Sequence, residues 1–103
     1  MKIEFLGNNH TNLLGQNQLL ELLENKYKDY DLWLEFLYPT DIKLIKSINK
    51  FNEDEILEKI LDNLTKNNKW SIEYNQNLIN IIKKALKFNI NIFALERKKY
   101  SLH

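Results

Sequence analysis

The chain contains no cysteine, one proline and two glycines among its 103 residues. Without cysteine it has no disulfide, no thiolate metal ligand and no thiol nucleophile. No apolar run approaches the ~20 residues that span a bilayer, and nothing near Met1 resembles a signal peptide, so we expect a cytoplasmic protein with no membrane segment. The formal net charge is only +1. Nucleic-acid-binding domains are usually strongly basic, so we also expect no nucleic-acid partner.

The length predicts a single domain over residues 1–103. Three short apolar runs, at residues 2–6, 32–37 and 91–95, have the composition of buried strands. Between them the apolar residues recur at helical spacing, in one segment after the first run and three after the second. The order β-α-β-α-α-α-β requires crossover connections, which join parallel strands. We therefore predict an α/β fold in which a small three-stranded parallel sheet is flanked by helices.

Local signals place the ends of these helices. The first helix is expected over residues 13–28, and Thr40 is expected to cap the second, whose apolar positions are Ile42, Ile45, Ile48 and Phe51. Asn52 and Glu55 form a capping signal for the third helix. Ser71 is expected to cap the fourth helix, which ends near Phe88, and Asn89 is suited to the left-handed C-cap position. We expect Ile3, Phe5, Leu34, Phe36, Ile92 and Ala94 to be buried between the layers.

Polar residues stand at or just beyond the end of each predicted strand. These are His10, Glu35 and Glu96. Open α/β sheets bind ligands at the carboxyl edge, so we predict a site there. Histidine is the side chain whose unperturbed pKa, ~6.5, lies nearest neutral pH, so His10 is a candidate catalytic group or metal ligand. Glu35 interrupts an apolar run, where a charge needs a partner, so it is a candidate for the same roles. The alternatives are a locally hydrogen-bonded turn histidine, a structural carboxylate at Glu35, and an ion pair between Glu96 and Arg97.

Several short motifs, in this order, resemble the superfamily of ChaN-like haem-binding proteins, erythromycin esterases and TIKI/TraB proteins. The motifs are Gly7-Asn8-Asn9-His10, Leu32-Trp33-Leu34-Glu35, a Trp70 segment, and Phe93-Ala94-Leu95. The resemblance covers nearly the whole chain, but only the first half of a typical family domain. The chain also has Asn8 where the family often has glutamate.

The resemblance implies a small hydrolase that uses His10 and Glu35 to activate water against an ester, amide or peptide bond. Asn8, Glu96, Arg97, Tyr38 and Tyr74 are then candidate substrate contacts. A haem- or metal-binding protein is the first alternative, with Tyr38 or Tyr74 as a haem ligand. A non-catalytic interaction module is the second. Because three strands leave a sheet edge uncovered, we expect a homodimer or another protein partner.

Overall fold

The computed structural model describes residues 2–5, 14–24 and 31–95. These residues form β1 (Lys2–Phe5), α1 (Leu14–Glu24), β2 (Asp31–Leu34), α2 (Pro39–Lys46), α3 (Glu53–Asn67), α4 (Ile72–Lys87) and β3 (Asn91–Ala94). The α/β class predicted from the sequence is confirmed. None of the helices in this part of the chain is long and apolar enough to cross a membrane.

The strands pair in parallel in the order β1-β2-β3, so β2 is central. Leu32 lies opposite Ile3 on one side and Ile92 on the other. A hydrogen bond of 3.0 Å from the Leu95 N–H to the Leu34 carbonyl extends the β2–β3 pairing. Side chains alternate between the two faces of a strand, and Leu32, Leu34 and Ile92 are accordingly buried in the core beneath the helices.

The core lies between this face of the sheet and the apolar faces of the helices. Its residues on α3 and α4 follow helical spacing: Leu57, Ile60, Leu64, Leu78, Ile81, Ile82 and Ala85. On the opposite face of the sheet Trp33 stacks on Phe93, with ring centroids 4.6 Å apart. Both of these rings are half-buried. The sheet is thus most completely covered on the side that faces the helices.

Local hydrogen bonds confirm one predicted helix cap and correct another. The hydroxyl of Ser71 accepts a hydrogen bond of 3.1 Å from the Tyr74 N–H, so Ser71 caps α4 as predicted. The cap of α2 is Tyr38 rather than Thr40. Pro39 lacks an N–H and therefore fits the first turn, and the Asp41 carboxylate accepts the Tyr38 N–H at 2.9 Å.

Three further predictions can be compared with the structure. β2 ends at Leu34, not at residue 37, because Glu35 and Phe36 form a turn closed by a Leu37 N–H bond to the Leu34 carbonyl. Phe51 is 88% exposed in the turn after α2, so its predicted place on the inner face of that helix was wrong. Asn89 has φ of 57°, which confirms the left-handed position that ends α4.

Of the expected inner residues whose side chains are described, all but Ala94 are buried. Leu34, Phe36 and Ile92 are buried, and Ala94 is half-buried against the core. The side chains of Ile3 and Phe5 lie outside the described part of the chain. The first helix, expected over residues 13–28, is described over Leu14–Glu24 only.

Candidate functional site

Three segments meet near the carboxyl end of the central strand. The turn after β2 carries Glu35, α1 begins near Gln16, and α4 begins near Tyr74. In a parallel α/β unit each helix runs opposite to the strands, so the first turns of the helices lie by the carboxyl ends of the strands. A hydrogen bond of 3.0 Å joins the Gln16 side-chain amide to the backbone carbonyl of Tyr74, which ties the first turns of α1 and α4 together.

A small pocket opens beside this turn. Its volume is about 80 Å³. The lining comprises three aromatic side chains, one carboxylate, three amide side chains and one leucine: Phe36, Tyr38, Trp70, Asp41, Asn63, Asn67, Asn68 and Leu64. The space is small, so it suits one compact head group rather than a whole ligand.

Asp41 is the charged side chain that the described residues bring to this lining. It is 4% exposed, and its Oδ2 accepts the hydrogen bond from the Tyr38 N–H at the start of α2. A buried carboxylate is costly unless it is compensated by hydrogen bonds or an opposite charge. The capping hydrogen bond compensates part of this cost, and the fold thereby holds a negative charge at the wall of the pocket.

A pair of amides fixes the part of the wall that Asn68 and Trp70 supply. The side chains of Asn68 and Asn75 exchange two hydrogen bonds of 3.1 Å each. The Asn68 Oδ1 also accepts the Trp70 N–H at 3.0 Å. Because Asn75 is itself buried in α4, this closed arrangement holds the loop between α3 and α4 against the core. Trp70 and Asn68 are therefore set in place by the fold.

Tyr74 connects the pocket wall to Glu35. The Tyr74 ring lies edge-on to Trp70, with centroids 5.3 Å apart and an interplanar angle of 75°. Tyr74 is 2% exposed, and burial raises the pKa of its phenol. The negative charge of the neighbouring Glu35 carboxylate raises this pKa further. The phenol therefore stays protonated, and remains a hydrogen-bond donor, over the whole range of ordinary pH.

Gln16 brings an unsatisfied acceptor to the same end of the fold. Its side chain is almost fully buried, and its Nε2 donates to the Tyr74 carbonyl. Within the described part of the chain its Oε1 is buried without a hydrogen-bond partner. Such groups are rare in proteins and commonly accept from water or a ligand. Gln16 thus adds a polar atom that the strand-end pattern did not indicate.

The structure describes three of the seven residues predicted for the site. Tyr38 lines the pocket. Tyr74 contacts the ring of Trp70, which also lines it, and Glu35 lies close enough to Tyr74 to affect the ionisation of the Tyr74 phenol. The other four lie outside the described residues: Asn8, His10, Glu96 and Arg97. The predicted approach of His10 to Glu35 stays a prediction.

The strand-end reasoning missed Asp41, Asn68 and Gln16. Asp41 had a local signal, because an acid at the third position of a helix that begins with proline often caps the helix start. Asn68 and Gln16 had none, since each acquires its role from a distant partner in the fold. The asparagines in particular are numerous in this chain, so no single one stands out in the sequence.

The described residues alone do not form a complete metal site. Among residues 2–5, 14–24 and 31–95 there is no group of three or more histidine, aspartate or glutamate side chains that could hold a metal ion. His10, the other candidate ligand, lies outside the described residues, so binding of a metal by His10 and Glu35 stays a prediction.

Comparison with known proteins adds no relative. No family model, curated protein or solved structure matches the chain. The resemblance to the ChaN-like superfamily accordingly stays a prediction, and functional inference depends on the residues described above.

Proposed function

We propose that this protein is a small hydrolase-like enzyme, built as a minimal ChaN-like or erythromycin-esterase-like domain, that acts on an ester, amide or peptide bond. The observation that supports the proposal is the neighbouring pair of Glu35 and Tyr74 at the carboxyl end of β2, next to a polar pocket. Carboxylates in such positions serve as general bases. His10 is the proposed second catalytic group.

The proposed reaction uses Glu35 to remove a proton from water. The resulting hydroxide adds to the carbonyl carbon of the substrate, and the tetrahedral intermediate then expels an alcohol or amine, which takes up the proton. Tyr74, which keeps its proton, can donate a hydrogen bond that orients Glu35 or stabilises the oxyanion. Tyr38, half exposed at the pocket, is placed to contact the substrate.

Turnover of simple substrates tests this proposal. We expect the wild-type protein to hydrolyse either p-nitrophenyl acetate or a peptide p-nitroanilide. Glu35→Gln should lower kcat by about 10²-fold or more, the usual contribution of a general base. Glu58→Gln, on the exposed face of α3, is the matched control and should leave kcat unchanged. Equal kcat in wild type and Glu35→Gln would contradict the assignment of the base, and His10→Ala tests the second group in the same assay.

The haem alternative fits these residues poorly. Tyrosine binds haem iron as the phenolate, whereas burial and the charge of Glu35 both hold Tyr74 in its protonated form. Tyr38 lines a pocket of only about 80 Å³, which is too small for a porphyrin. We therefore give the haem-binding function no mechanism.

An interaction module is a second candidate, favoured by the outer side of β3. Within the described ranges no strand pairs with that side, and β3 carries no charged residue and no proline that would discourage pairing. A groove of about 400 Å³ runs beside it and is lined mainly by apolar side chains, Ile45, Leu86, Ile90, Ile92 and Phe93, with Lys46 and Asn91. Pairing of β3 with β3 of a second copy would cover both the open side of the strand and the groove. Sedimentation equilibrium tests this: we expect twice the chain mass, and a species of 12.4 kDa would contradict it.

A further inference from the structure

The pocket beside β2 combines a buried carboxylate with aromatic side chains. Asp41 stands in the lining together with Phe36, Tyr38 and Trp70, and the remaining lining residues are Leu64 and three asparagines. Among residues 2–5, 14–24 and 31–95, no lysine, arginine or histidine lines it. The formal charge of the lining is therefore negative, and Glu35, which directly follows β2, adds a second negative charge nearby.

Each of these features favours the same kind of ligand group. Aromatic rings attract cations through the negative potential of their faces, and cages of such rings bind alkylated ammonium groups. A carboxylate held in a partly dehydrated wall attracts a cation more strongly than one in open water, because the local dielectric constant is lower. Side-chain amide oxygens of Asn63 and Asn67 can accept hydrogen bonds from an N–H donor.

The size of the pocket further limits the class of ligand that it can hold. A volume of about 80 Å³ accommodates a compact head group, while Tyr38, which is 50% exposed, leaves room at the mouth for the rest of a molecule. An anionic group would meet Asp41 without a compensating cation in the lining. A neutral group would leave the buried charge of Asp41 uncompensated.

We propose that this pocket binds an ammonium group, plain or methylated, so that the molecule acted on at Glu35 is an amine-bearing ester or amide. The pocket would act as a specificity site, with Asp41 and Trp70 contacting the cation. The assignment of the bound molecule as a substrate rests on the proposed hydrolase function. The binding of an ammonium group does not.

The test uses tetramethylammonium chloride as the probe and tert-butanol as its neutral counterpart of similar shape. Binding is followed by the indole and backbone amide signals of Trp70 in two-dimensional NMR spectra of ¹⁵N-labelled protein at constant ionic strength. We expect saturable shifts with tetramethylammonium and at least about tenfold weaker binding of tert-butanol, because only the cation interacts with the carboxylate and the ring faces.

Variants test the contribution of the Asp41 charge in a protein whose fold is kept. Asp41→Asn keeps an oxygen that can accept the Tyr38 N–H, so it removes the charge without removing the helix cap. We expect it to weaken tetramethylammonium binding about tenfold or more, and the NMR spectrum of the free variant verifies that its fold is intact. Asp62→Asn, exposed on α3, is the matched control and should bind like the wild type. Trp70→Leu, followed through the Asn68 signals, should weaken binding about threefold to tenfold.

The possible outcomes are distinct for the two proposals. Absence of saturable shifts, equal binding of tert-butanol, or unchanged affinity in Asp41→Asn would each overturn the ammonium site. Ammonium binding in a protein that hydrolyses no ester or amide would uphold the site and contradict the hydrolase function. Turnover that depends on Glu35, without any preference for tetramethylammonium over tert-butanol, would uphold the hydrolase function and overturn the ammonium site.

Discussion

The two ends of α4 hold polar groups in very different surroundings. At its start, Ser71 caps the helix, and the first turn buries Tyr74 between Trp70 and the core. At its end, Lys84 forms an ion pair with Glu24 of α1, in an open groove of about 410 Å³. Lys83 and Lys87 line the same groove and are exposed.

The difference shows that burial, rather than the number of charges, decides where polar groups affect stability and chemistry. Glu24 and Lys84 are both reached by water, which screens their attraction, so the pair contributes little to stability. The phenol of Tyr74 is withdrawn from water, so a single neighbouring carboxylate changes its ionisation. The buried start of α4 is accordingly the part of the helix that contributes to the candidate site.

The largest expected effect is a difference in stability between variants at the two ends of α4. Tyr74→Ala removes a buried ring and its contact with Trp70 and should lower the free energy of unfolding by about 3–5 kcal/mol, as for other large aromatic residues in cores. Lys84→Ala at the other end should cost much less, because water screens its ion pair with Glu24. Urea denaturation of both variants measures the two values. Similar losses at the two ends would show that burial does not distinguish them.

The sequence predicted the elements of this fold better than the site within it. The α/β class and the Ser71 and Asn89 signals follow from local patterns, because hydrophobic spacing and capping depend on residues close in the chain. The end of β2 was misplaced because Phe36 and Leu37 are apolar and buried although they lie in and beyond a turn. Continuous apolar sequence indicates burial and does not show where a strand stops.

The pocket was less accessible to such reasoning, since its residues come from separate segments. Glu35 was found because it interrupts an apolar run, and Tyr38 was a candidate haem ligand or substrate contact. The contribution of Trp70, by contrast, depends on the Asn68–Asn75 amide pair. Gln16 reaches the site through a bond to a residue 58 positions away. Long-range pairs of this kind leave no periodicity or spacing in a single sequence.

A smaller effect is expected in alkaline solution. The pKa of the Tyr74 phenol is raised above its ordinary value of 10.0, by burial first and the Glu35 charge second. The folded state therefore favours the protonated phenol, and its contribution to stability is fully present below pH 10.0 and is lost as the pH rises through the folded-state pKa. Tyr74→Phe keeps the ring and has no phenol to ionise. Its free energy of unfolding should fall less steeply above pH 10 than that of the wild type, and parallel urea-derived curves would contradict the raised pKa.

The smallest effect belongs to the exposed end of α4, in acid. The Lys84 hydrogen bond, followed by the Lys84 charge, holds the pKa of Glu24 below its ordinary value of 4.5. A lowered pKa stabilises the fold above 4.5, and that contribution is lost as the pH falls through the folded-state pKa of Glu24. Glu24→Gln should therefore reduce the acid-induced loss of unfolding free energy slightly, while Glu21→Gln, exposed on the same helix, should not. Raising the salt concentration to ~1 M shortens the screening length to about 3 Å and should remove most of the difference between the two variants, because the Glu24–Lys84 pair is exposed to solvent. A difference that persisted at this salt concentration would mean that the pair is shielded from water, and that the two ends of α4 are more alike than their burial indicates.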